Sequence, residues 1–195
     1  MNLPNKLSLM RVIMVPLFVA VMVLPESILP DTWSRILSAA IFILTAFTDF
    51  LDGMIARKFN MITDFGKFID PLADKFMVFG AMLAILYKYD YLRNVFIWAA
   101  LIVIFRELAI TSMRLIISSS AGKVVAAAWL GKVKTVTQII CIVVVLLEPV
   151  IIPQSSALYD MHLFSYITIA AMTVMTLWSG IDYMKTYWQF LDPTK

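Results

Sequence analysis

Six long apolar blocks, separated by short polar stretches, organise the chain. They cover approximately residues 8–25, 33–57, 67–88, 94–118, 131–150 and 163–187. Each is near the ~20 residues that a helix needs to cross a hydrocarbon layer. Pro25, Pro30, Pro149 and Pro153 fall in the connections on one side, where helix breakers belong. The pattern predicts an all-α integral membrane protein with six transmembrane helices, one domain over residues 1–195. Lys6 and Arg11 before the run Val12–Leu24 imitate a signal peptide. The sequence that follows, Val-Leu-Pro25-Glu26-Ser27, offers no small-residue cleavage site, so the first segment reads as a retained helix.

Composition supports this class. The 195 residues are 62% apolar and only 15% charged, with a mean hydropathy of +0.88, whereas soluble domains are about 45–50% apolar and about 25% charged. One cysteine, Cys141, in an apolar run and one histidine, His162, in a polar loop argue against a zinc site, a disulfide framework and a Cys–His nucleophile. Cys141 reads as packing and His162 as a surface loop residue. The outer loop Glu148–His162 offers no chemistry.

Charge sets the orientation. Six crossings put Lys6, Arg11, Arg57, Lys58, Lys67, Lys75, Arg114, Lys123, Lys132, Lys134, Lys185 and Lys195 on one side. The other side receives Arg35, Lys88 and Arg93, while Arg106 lies within a span. Cytoplasmic loops carry the excess of Lys and Arg, so both termini are expected in the cytoplasm. A net charge of +3 gives no reason to expect nucleic acid.

Acids break the second and third apolar blocks. Asp49, Asp52, Asp64, Asp70 and Asp74 lie within this short stretch, interleaved with Phe50, Leu51, Met54, Ile55, Phe68, Ile69 and Leu72. A solvated loop would not mix acids and large apolar residues in this way, and carboxylates at a bilayer edge need cationic compensation. Asp49 and Asp52, three apart, share a helix face, as do Asp70 and Asp74, four apart. Pro71 suits a first helical turn, and the tight connection Arg57–Lys67 makes the two helices antiparallel neighbours. Oxygen-only ligands at this density suit Mg²⁺ or Mn²⁺. Four carboxylates can hold two such ions, the arrangement that clamps attacking and leaving oxygens in phosphoryl transfer. Gly53 and Ala56 permit close approach of a helix or ligand, and Arg57 can fork onto a phosphate.

The pattern D-x-x-D-G-x-x-A-R-x8-G-x-x-x-D-x-x-x-D, running from Asp49 to Asp74, resembles the signature of the CDP-alcohol phosphotransferases. The resemblance implies a six-helix membrane fold with its site open to the cytoplasm. It also implies a reaction that moves a phosphatidyl-type group from a CDP-linked donor to an alcohol and releases CMP. By the same resemblance Asp49, Asp52 and Asp70 are metal ligands, and Asp74 is the general base and also touches a second metal. Gly53, Arg57, Thr63 and the segment Asn5-Lys6-Leu7-Ser8 contact the CDP moiety. Ser8 stands where threonine is expected, and it keeps the hydroxyl.

A second region bears on the acceptor. Arg106 and Glu107 within a span need partners, and Arg114, eight residues on, points roughly the same way. Lys132 and Lys134 open the next helix. Together they suit a cationic pocket for a phosphate-bearing acceptor; the plain alternatives are positive-inside topology for the lysines and a structural pair for Arg106. The stretches Arg106-Glu107-x-x-x-Thr111-Ser112-x-Arg114 and Gly131-Lys132-Val-Lys134-Thr135-x-x-Gln138 are similar to those of the family's bacterial phosphatidylglycerophosphate synthases. That similarity implies CDP-diacylglycerol as donor and sn-glycerol 3-phosphate as acceptor, bound by Arg106, Arg114, Lys132 and Lys134. It also implies a bacterial inner membrane with the site facing the cytoplasm. Members often form homodimers, so a second copy of this chain is a candidate partner beside membrane lipid. Inositol phosphate, serine and phosphatidylglycerol are the competing acceptors. A cation transporter is disfavoured, because its acids would lie near the midplane in paired halves, and Glu107, Glu148 and Asp182 make no second cluster.

Overall fold

A computed structural model of the chain describes residues 2–58, 63–121 and 129–188. The described residues form helices and connections only: α1 (Leu3–Val23), α2 (Asp31–Lys58), α3 (Asp64–Lys88), α4 (Asp90–Ala121), α5 (Trp129–Ile151), the short α6 (Ala157–Met161) and α7 (Leu163–Tyr187). The six long helices coincide with the six apolar blocks. Among the described residues, α1, α4, α5 and α7 are long and apolar enough to cross a membrane. The other two, α2 and α3, are as long, at 28 and 25 residues, but carry the acids.

Two expectations change. Pro149 lies in the last turn of α5 rather than in the connection after it, and Pro71 lies inside α3 rather than in its first turn. The helix starts earlier because Thr63, with extended backbone, accepts a hydrogen bond from the Gly66 N–H at 3.0 Å and caps it. Asp70 and Asp74 therefore sit in the second and third turns, about 10–15 Å from the helix start.

The long helices pack as a closed ring: α1 lies between α2 and α3, α5 between α2 and α7, and α4 between α3 and α7. The core holds many small or flexible side chains, including Ala81, Met82, Cys141 and Met172. Cys141 is packing, as expected. A Cβ at Gly80 would meet Val15 at 2.6 Å, so a glycine is needed for α1 and α3 to approach this closely. The outside is apolar too. Trp33, Trp98, Trp129, Trp178 and Trp188, all the tryptophans of the chain, are at least 59% exposed, beside Leu44, Leu83, Phe105 and Leu115. Such a surface belongs in hydrocarbon and its interfaces, not in water.

At the end remote from the acidic motif, the cations are matched by acids. Asp31 pairs with Arg35 at 2.5 Å and with Lys88 at 3.3 Å, and Arg93 pairs with Asp90. Lys88 also donates to Ser34 at 2.8 Å, and Ser34 donates to the Val21 carbonyl at 3.0 Å. The Arg35 guanidinium lies 4.0 Å from the Tyr89 ring centre. Those links tie α1, α2 and α3 together.

The outer connection from Glu148 to His162 has a structural role that the sequence left unread. His162 turns the chain with a left-handed φ of 44° and stacks on Tyr91 at 3.9 Å. The buried Glu148 carboxylate then accepts hydrogen bonds from the Phe164 N–H at 2.9 Å, the Ser165 N–H at 2.7 Å and the Ser165 hydroxyl. It satisfies free donors at the α7 start and meets the positive helix end. Glu148→Ala should destabilise the protein by about 1–3 kcal/mol. The check is a lower midpoint in thermal unfolding in detergent.

Candidate active site at the acidic helix ends

The first half of α1, the last turns of α2 and the first turns of α3 meet at one end of the ring. Asn5, Ser8 and Arg11 recur every three residues on α1 and so present one face. All are buried, and each reaches the acidic helix pair or its cap. Asn5 accepts a hydrogen bond from the Thr63 hydroxyl at 3.1 Å, beside the α3 cap. Ser8 donates to Asp70 Oδ1. Arg11, with a side chain 0% exposed, places Nη1 2.6 Å from Asp49 Oδ1, whose own side chain is 42% exposed.

Asp74 is the junction. It lies within electrostatic range of Asp49 and Arg11, and also of Lys134 and Glu107. Glu107 on α4 holds two cations through one oxygen: Oε1 accepts from Arg106 Nη1 at 3.2 Å and from Lys134 Nζ. All three side chains are nearly buried, which gives a desolvated triad of net charge +1. Burial makes such a network costly unless each charge is met. Here one carboxylate sets two cationic groups side by side.

The expected acceptor residues thus separate into groups. Arg106 and Lys134 are joined through Glu107. Arg114, exposed, stacks over Tyr183 with its guanidinium carbon 5.4 Å from the ring centre and within electrostatic range of Arg106. Lys132 is exposed, because two residues along a helix turn it away from the buried Lys134. Of the expected donor residues, Asn5, Ser8 and Thr63 come together at the α1–α3 contact. The side chains of Asp52 and Arg57, and the surroundings of Gly53, lie outside the described residues, although the α2 helix that carries them is described.

Arg11 and Glu107 are functional candidates that the sequence reading did not assign. Arg11 was counted only toward topology, yet it sits in the apolar run Leu9-Met10-Arg11-Val12-Ile13. The rule that a charge within a span needs a partner, applied there as it was to Arg106, points to an acid. For Glu107 a structural pair with Arg106 was legible and is present, but the second cation, Lys134, was not.

Among the described residues no three acidic or imidazole side chains converge as a ready ligand set. The donor chemistry nevertheless fits a hard cation. Asp49, Asp70 and Asp74 offer only oxygen, from two helices. Two of them, Asp49 and Asp74, repel each other within range, and a guanidinium already sits against Asp49.

Residues 1–181 match the sequence model of a family described as CDP-alcohol phosphatidyltransferase. A Bacillus subtilis (strain 168) protein named CDP-diacylglycerol--glycerol-3-phosphate 3-phosphatidyltransferase is 36% identical over 204 residues, covering 97% of each chain. Proteins of the same name from Yersinia enterocolitica and Salmonella paratyphi A are 33% and 35% identical. They cover 99% of each chain in the first case, and 94% of this chain and 93% of the relative in the second.

Proposed function

The chain belongs to the CDP-alcohol phosphatidyltransferase family, and from that membership we propose that it transfers the phosphatidyl group of CDP-diacylglycerol to sn-glycerol 3-phosphate, giving phosphatidylglycerophosphate and CMP. The observation that carries this reading is the position of Asp74, within range of both Asp49 in the acidic helix pair and Lys134 in the cationic triad. A base that adjoins a donor site and an anion site is what transfer to a phosphorylated alcohol requires.

In the reaction, Asp74 accepts the proton of the terminal hydroxyl of glycerol 3-phosphate. The freed oxygen attacks the phosphorus that bears diacylglycerol, the bond from that phosphorus to the CMP oxygen breaks, and CMP leaves. Arg106 and Lys134, fixed by Glu107, bind and orient the acceptor phosphate, with Arg114 and Lys132 at the rim. Arg57, Gly53, Thr63, Asn5 and Ser8 receive the CDP moiety, next to an α3 N-terminus suited to phosphate. Arg11 holds Asp49 in place. Asp49, Asp52, Asp70 and Asp74 would hold two divalent cations, Mg²⁺ or Mn²⁺, whose chemistry is to neutralise charge that develops on the pyrophosphate. The six long helices all cross a bacterial inner membrane, with both termini and the acidic end in the cytoplasm, where the soluble acceptor is found.

The test is CMP release by purified protein in detergent with CDP-diacylglycerol and Mg²⁺ or Mn²⁺. Glycerol 3-phosphate, inositol phosphate, serine, phosphatidylglycerol or no acceptor is added in separate arms. Release that depends on glycerol 3-phosphate is expected. Release with another acceptor would keep the chemistry and overturn the acceptor. Folded protein that releases no CMP in any arm would overturn the transferase reading.

A further inference from the structure

Between α4 and α7 runs a groove of about 460 Å³, within the range of roughly 300–1,000 Å³ typical of ligand sites. Leu101, Phe105, Ala109, Leu177 and Ile181 form its walls, which present no polar surface. An occupant of such a groove is hydrocarbon. What separates this groove from ordinary lipid-facing surface is Arg106. Its stem lines the groove, and a Cβ at Gly180 would stand 3.2 Å from Arg106 Cγ, so the glycine leaves the stem room. Its guanidinium pairs with Glu107, which holds Lys134 within range of Asp74. One long side chain therefore joins apolar groove to polar site, stem in one and charge in the other. Thr176, in the same wall, is fully buried with a hydroxyl that finds no hydrogen-bond partner.

We infer that the α4–α7 groove holds one acyl chain of CDP-diacylglycerol during transfer, with the head-group end of that chain at the level of Arg106. This rests on the phosphatidyl-transfer reading and specifies how its lipid substrate is seated. A substrate with a phosphorylated head and a hydrocarbon tail needs adjoining sites of both kinds, and Arg106 belongs to both. A larger groove, of about 650 Å³, lies between α1 and α3. Its walls run from Val15 and Phe76, near Arg11 and Asp74, to Val23 and Tyr87 near the opposite end, where Asp31 and Lys88 pair. None of its wall residues is charged, so none joins it to the acidic site as Arg106 joins the α4–α7 groove.

The test compares CDP-diacylglycerol bearing two oleoyl chains with the analogue bearing two butyryl chains, in wild type, Ala109→Phe and Ile181→Trp. Both variants fill the groove, and Ile181 is exposed enough to accept a larger side chain. The KM for the long-chain donor should rise about 10-fold, while kcat and KM for the short-chain donor stay within about twofold of wild type. Unchanged KM for both donors would overturn the acyl site. As a second measurement, wild type is photolabelled with CDP-diacylglycerol carrying a diazirine near one acyl terminus. Label in residues 101–110 or 176–184 supports the site, and label confined to α1 and α3 overturns it. Wild type that releases no CMP even from the short-chain donor would instead overturn phosphatidyl transfer itself.

Discussion

Asp74→Asn is expected to lower kcat for CMP release by about 10³-fold or more, within the range that a positioned general base contributes. The amide keeps the shape of the carboxylate but cannot take the acceptor proton. Asp74 sits where the acidic helix pair and the Lys134–Glu107 pair meet, so no other described carboxylate replaces it at that junction. Glu107 is engaged by Arg106 and Lys134, Asp49 by Arg11, and Asp70 by Ser8. The KM for CDP-diacylglycerol and the unfolding midpoint in detergent should stay close to wild type. Raising Mn²⁺ should not restore the rate. If it does, Asp74 acts chiefly as a ligand and the base lies elsewhere.

Lys134→Ala should raise the KM for glycerol 3-phosphate by about 10- to 140-fold, because one hydrogen bond to a charged group is worth about 1.5–3 kcal/mol and each 1.4 kcal/mol is tenfold. The KM for CDP-diacylglycerol should not change. Lys134 is the candidate acceptor residue that is both buried and within range of Asp74. Its loss leaves Glu107 paired with Arg106 and takes the local net charge from +1 to zero. Lys132→Ala, at an exposed position, serves as the control and should have a much smaller effect. A parallel rise in KM for both substrates would make Lys134 a structural residue rather than a phosphate contact.

Helix content was legible because membrane helices are written as uninterrupted apolar blocks, and the six blocks map onto α1 to α5 and α7. Their ends were less so. α3 begins at Asp64 instead of near Lys67, since Thr63 provides a cap that block hydropathy does not register. α6, a five-residue helix capped by Ser156, was also invisible, and so was the Glu148 cap on α7, which depends on a carboxylate meeting backbone donors 16 and 17 residues away. The acidic motif could be read as a site since its spacing aligns carboxylates on two helix faces. Arg11 could not be assigned, because its partner is 38 residues along and only the packing of α1 against α2 brings it to Asp49.

Sequence alone determined the class of chemistry: the signature from Asp49 to Asp74 points to the CDP-alcohol phosphatidyltransferases, the family to which the chain belongs, and carboxylates at helical spacing in an apolar chain are the reason to expect a cation beside them. Local periodicity and burial cost do not depend on the path of the chain. Tertiary packing decided which charges meet. It divided the expected cationic pocket into a buried Arg106–Glu107–Lys134 triad and an outer Arg114 and Lys132, placed Arg11 on Asp49, and left an apolar groove beside Arg106. Ion pairs between helices depend on rotation and register of one helix against another. Those are set by close-approach positions such as Gly80 and Gly180, which say nothing of the charges until the helices pack.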